Sequence, residues 1–137
     1  MDSASNNFLY TQLSDSPFQI RLLHILPGSF EARIQCYLKT FTAESCIQYE
    51  ALSYVWGDPN ITESIKLERD PILFHYFHVT TNLEAALRHL RLKEKERIIW
   101  IDAICIDQGN RKERELQVQN MGKIYARAAK VVVWLGK

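Results

Sequence analysis

The stretch IIWIDAICIDQGNRKERELQVQNMGKIYARAAKVVVWLG, residues 98–136, decides the fold class of this chain. It opens on a compact apolar run, 98–102, of the length and branching of a buried strand, and it closes on a second such run, 131–135. Between them Asn110 followed by Glu113 has the pattern of a capping box. Val118, Met121, Tyr125 and Ala128 then recur at spacings of 3, 4 and 3, which predicts a helix over 111–128 that buries this stripe. A strand, a helix and a strand in that order form a right-handed crossover, so 98–102 and 131–135 are predicted to be neighbouring parallel strands.

Upstream, Leu83, Leu87 and Leu90 lie at i, i+4 and i+7 behind the pair Thr81 and Glu84, which predicts a capped helix over 82–92. YEALSYVW, 49–56, is apolar on both faces and stops at Gly57-Asp58-Pro59, as a central strand would. FEARIQCYLK, 30–39, alternates apolar and polar residues and reads as a half-buried strand hairpinned to FQIRLLHIL, 18–26, across the Pro27-Gly28 turn. SIKLE, 64–68, is a short candidate strand, and the aromatic ILFHYFHV, 72–79, takes no place from its pattern. Residues 1–17, rich in Ser, Asn and Asp, are expected to be a mobile leader. The expected architecture is α/β: a mainly parallel sheet with helices on its faces, preceded by an N-terminal β-hairpin.

Length and composition narrow the class. A chain of 137 residues has room for one core, and 47% hydrophobic with 24% charged residues is the balance of a globular domain. A net charge of +1 lacks the basic excess usual in nucleic-acid and membrane-surface proteins, so neither is expected as a partner. Cys36, Cys46 and Cys105 form no CxxC pair and fit a reducing interior. No signal-peptide pattern opens the chain and no apolar run approaches a membrane span, so a cytoplasmic protein is expected.

Ligands of open parallel sheets sit at the carboxyl ends of the strands. That rule selects Ser53, Trp56 and Asp58 after one strand and Asp102 and Asp107 after another, where carboxylates and an aromatic wall would suit a ribose or other polyhydroxyl ligand. Turn chemistry is the competing account: Asp58 precedes Pro59, Asp107 is in a loop, and Asn110 with Glu113 are explained by capping. Cys105 reads as a small buried hydrophobe. His75 and His78, three apart in an extended run, fall on opposite faces, so no metal is expected. No phosphate-cradling glycine motif occurs among the five glycines.

YEALSYVWGD (49–58), TNLEAALRHLR (81–91) and the long block 98–136, in this order, resemble the fungal heterokaryon incompatibility (HET) domain. The resemblance runs from Ile20 onward, and its WIDAICIDQ core is specific. It departs where Arg69-Asp70-Pro71 and the aromatic run stand in place of a short Gly-containing turn. It implies that 18–137 is the N-terminal part of such a domain, a module of intracellular non-self recognition that triggers programmed cell death through protein partners or self-association. The family is also thought to be distantly TIR-like, which implies a flavodoxin-like sheet and an alternative function, cleavage of NAD. In the TIR arrangement the supporting glutamate follows the strand VVVWLG, so the chain reads as truncated at its C-terminus. On that reading NAD is at most a ligand, no cofactor is required and no catalytic residue is assigned.

Overall fold

The strand at the centre of the sheet is the one that carries an arginine and a histidine. A computed structural model describes Phe8 and residues 10–68 and 74–136 of the protein. Its strands are β1 (Gln19–Ile25), β2 (Gln35–Thr42), β3 (Glu50–Tyr54), β4 (Thr62–Glu68), β5 (Phe74–Thr80), β6 (Arg97–Trp100) and β7 (Lys130–Trp134). They form one seven-stranded sheet in the order β5-β4-β2-β1-β6-β3-β7. Helix α1 (Thr81–Leu90) joins β5 to β6, and α2 (Asp102–Cys105), α3 (Arg111–Gln119) and α4 (Met121–Arg127) lie between β6 and β7.

The sheet is mixed, which corrects the expectation of a mainly parallel one. β2–β4, β3–β6 and β3–β7 pair parallel, whereas β1–β2, β1–β6 and β4–β5 pair antiparallel. The N-terminal hairpin does not precede the sheet; its strands β1 and β2 are inserted near the middle of it. Every residue of β1 except Gln19 is buried. β6 and β7 run in the same direction as predicted, but they are not neighbours, because β3 lies between them. Glu50 at the start of β3 explains that position: its carboxylate accepts from Arg97 Nε of β6 at 2.6 Å and meets Lys130 Nζ of β7 at 3.2 Å. Burial pushes the Glu50 pKa up, but the hydrogen bonds and charges of Arg97 and Lys130 outweigh it and hold the carboxyl below its ordinary value.

Helix α1 packs on β4 and β5 at one edge of the strand order, yet its Asn82 and His89 reach Trp134 of β7 at the other edge. The sheet is therefore curled around α1. Leu83, Ala86, Leu87 and Leu90 fill the concave side against Leu67, Phe77 and Val79, all buried. On the opposite face Trp100 is fully buried and meets the Tyr125 ring of α4 edge-on at 5.7 Å.

Local details shift from the expectations for identifiable reasons. Thr80, not Thr81, caps α1, its hydroxyl accepting from Leu83 N at 3.2 Å. Asn110 caps α3 as predicted, but Glu113 does not complete the box, because its carboxylate is taken by Arg21 and by Asp107 N. The helix predicted over 111–128 breaks at Asn120, whose side-chain amide donates to Leu116 O at 2.8 Å and so competes with the helical ladder. The break turns the stripe: Gln117 and Ile124 are buried, Met121, Tyr125 and Ala128 half-buried, and Val118 exposed. The predicted leader is not all outside the fold, since Tyr10 Oη donates to Ile104 O at 2.7 Å and Thr11 O accepts from Arg21. β2 starts at Gln35 rather than Phe30, because residues 29–33 form a connection whose carbonyls accept from Arg88 and Arg91. The aromatic run supplies β5, antiparallel to β4; Arg69-Asp70-Pro71 and residues 72–73 lie outside the described residues.

Candidate functional site

β3 and β6 are parallel neighbours, so their carboxyl ends open at the same end of the sheet, as the rule for parallel strands requires. The five residues selected there take different positions. Ser53 is exposed on the outer face of β3, level with Val133 of β7, while the next residue, Tyr54, turns to the opposite face and is half-buried. Trp56 is exposed and stacks on Tyr54, with centroids 6.4 Å apart and planes 10° from parallel. Asp58 Oδ1 accepts from Asn60 N at 2.9 Å, which closes the turn after β3. Asp107 Oδ1 accepts from Gly109 N at 3.1 Å and shapes the loop into α3. The carboxylates of Asp58 and Asp107 are thus engaged in turn chemistry.

Asp102, the first residue of α2, stays half-buried. Burial pushes its carboxyl pKa up, and the amides of Ala103 and of Asp102 itself offset part of that rise. Tyr54 and Tyr125 sit in the same field: burial raises both phenols first, and the Asp102 charge raises them further. The end of the sheet therefore groups one carboxylate with two tyrosines and an exposed tryptophan. Such a group can accept and donate hydrogen bonds at a partly dry surface; it holds no nucleophile activated by a base. Cys105 is buried with its thiol pKa pushed up to about 12 by burial, which makes it inert rather than nucleophilic. Among the described residues no cluster of three or more His, Cys, Asp or Glu could hold a metal ion.

Two groups that organise this end escaped the sequence reading. Asn82 at the start of α1 donates to Val55 O, past the end of β3, and accepts from Trp134 Nε1 of β7 at 3.2 Å. Gly57 sits beside it with φ of 76°, and a Cβ there would lie 3.4 Å from Asn82 Cβ. Within the resembling block TNL, Asn82 looked like an ordinary first-turn residue, and only the curl of the sheet gives it two strand ends to join. The second group centres on Arg21. Its guanidinium donates to both Glu113 oxygens at 2.7 and 2.9 Å and to Cys105 O at 3.0 Å, under the Tyr10 ring. The available signal was an arginine in the middle of an apolar strand, where only a buried partner makes it tolerable.

The model of the heterokaryon incompatibility protein (HET) family matches residues 49–137, which contain Asp102, Tyr54, Tyr125, Trp56 and Asn82 but not Arg21. The chain belongs to the HET family. It is also 39% identical, over 98% of its length, to heterokaryon incompatibility protein 6, OR allele, of Neurospora crassa. It spans 21% of that relative's length. No solved structure matches this HET chain. The family match covers β3 through β7 but not the central hairpin of β1 and β2, which the Neurospora alignment does include.

Proposed function

We propose that this HET chain acts in heterokaryon incompatibility as a cytoplasmic non-self-recognition module whose output is programmed death of the fused fungal cell, and that it signals by protein contact rather than by chemistry. Family membership and the name of the Neurospora relative support the process. One observation carries the protein-contact reading: Val55, Val131, Val133 and Leu135 are all exposed, and they belong to β7 or to the residues just past the ends of the neighbouring strands β3 and β7. Scattered exposed apolar residues are ordinary, but a contiguous set beside a sheet edge is the signature of a protein interface. No helix among the described residues is long and apolar enough to cross a membrane.

Expression in a filamentous fungus tests this reading, with dead compartments scored by a vital dye after fusion with an incompatible strain. The parent chain is expected to kill. A V131D/V133D variant, altered only at exposed positions, is expected to keep its melting temperature and lose killing. Killing at the parental frequency by that variant would overturn the protein-contact reading, and no killing by the parent would overturn the death-signalling one.

A further inference from the structure

Helix α4 and the connection from β2 to β3 frame two adjoining cavities, of about 320 and about 410 Å³, and Arg127 lines both. These volumes fall within the lower range of small-molecule sites. The floor of the smaller cavity is apolar: Ile20, Tyr49 and Ile124 are buried, and Phe18 stands beside them. Its rim carries two cations, Lys123 and Arg127, against one carboxylate, Glu44. Arg127 Nη1 donates to Ala43 O at 2.7 Å, which anchors the guanidinium at the rim. Its contact with Glu44 is weak, 3.9 Å to a side chain that is 86% exposed. The Lys123 ammonium has no hydrogen bond or ion pair among the described residues.

An apolar floor under a cationic rim selects for a ligand with both properties. A neutral hydrophobe would cover the floor and make no use of the two cations at its edge, of which Lys123 has no ion-pair partner among the described residues. A bare anion would meet the cations and leave the floor wet. A planar carboxylate matches the fork of an arginine, and an aromatic body matches the rings of Phe18 and Tyr49. We infer that this cleft binds a small aromatic carboxylate. The site shares no residue with the carboxyl-end group or with the exposed β7 surface, so it stands or falls independently of the function proposed above.

Titration of the ¹⁵N-labelled chain with 3-phenylpropionate and indole-3-acetate, each beside its neutral amide, tests the inference by NMR. Saturable shifts are expected at residues 17–20, 42–49 and 120–129, with each acid binding about tenfold tighter than its amide. R127Q should bring the acid down to the affinity of the amide. Because Arg127 also holds the Ala43 carbonyl, the exposed change K123Q serves as a second variant and should weaken the acid about threefold without altering the melt. Equal affinity for acid and amide, shifts scattered over the surface, no saturable shift, or acid affinity unchanged in both variants would each overturn the assignment.

Discussion

β1 and β7 invert what their sequences suggest. β1, QIRLLHI, contains a charged arginine and a histidine and is the most completely buried strand of the sheet. β7, KVVVW, is nearly all apolar and forms an edge, with Val131 and Val133 exposed. Burial therefore follows place in the strand order rather than hydropathy. Arg21 is tolerable at the centre because Glu113, the Cys105 carbonyl and the Tyr10 ring close around it, and His24 because it stacks on Tyr37 at 4.6 Å. The valines of β7 have a paired strand on one side and solvent over much of one face. The central strand thus concentrates stability, whereas the edge keeps apolar surface for contact.

The largest effect expected from this contrast is at Arg21. Arg21→Ala leaves the Glu113 carboxylate buried without its partner and should cost about 3–5 kcal/mol in urea unfolding. The double variant R21M/E113L, which removes both charges and keeps the volume, should recover only part of that loss, because the Cys105 carbonyl and the Asp107 amide lose their partners. If the single variant unfolds at the parental urea concentration, the centre of the sheet is not where stability resides. Next in size is a pair of truncations. Leu22→Ala in β1 should cost about 2–5 kcal/mol, whereas Val133→Ala in β7 should stay within about 0.5 kcal/mol. Similar losses at the two sites would erase the distinction between centre and edge.

The smallest effect is a difference in pH response. Burial holds the His24 imidazole pKa below its ordinary 6.5, so the unfolded chain takes up the proton first and stability falls as pH drops below about 6.5. Glu50, tying β3 to β6 and β7, has its pKa held below an ordinary 4.5, so its contribution is full above that value and is lost as pH falls further. Melting temperatures across pH 7.5 to 3 should show two separate declines. His24→Phe should remove the upper one; Glu50→Gln should remove the lower one and cost about 0.5–1.5 kcal/mol at neutral pH. A single decline that neither variant changes would show that neither group governs the acid response.

Much of the second half was legible because its signals are local. The Leu83–Leu87–Leu90 stripe, the Asn110 cap and the apolar runs at 98–102 and 131–135 each depend on neighbours a few residues away, and each formed an element close to its predicted place. The candidate site was legible only in part. Asp102 is half-buried at the strand end as the parallel-strand rule anticipates, but the Asp58 and Asp107 side chains cap their own turns, because a short carboxylate beside free backbone amides meets them before any ligand. Tyr54 and Tyr125 escaped selection because a tyrosine in an apolar run carries no local mark of facing a carboxylate.

The sequence by itself determined that this chain is an α/β domain of the HET family and where most of its strands and helices lie. These follow from backbone propensity, side-chain period and capping, all of which act within one turn or one strand. Only the tertiary structure decided that β1 and β2 sit inside the sheet, that β3 separates β6 from β7, and that Asn82 fastens two strand ends while Arg21 is sealed in the core. Strand order is set by contacts between residues tens of positions apart, such as Glu50 with Arg97 and Lys130, and no periodicity along the chain encodes which distant partner wins.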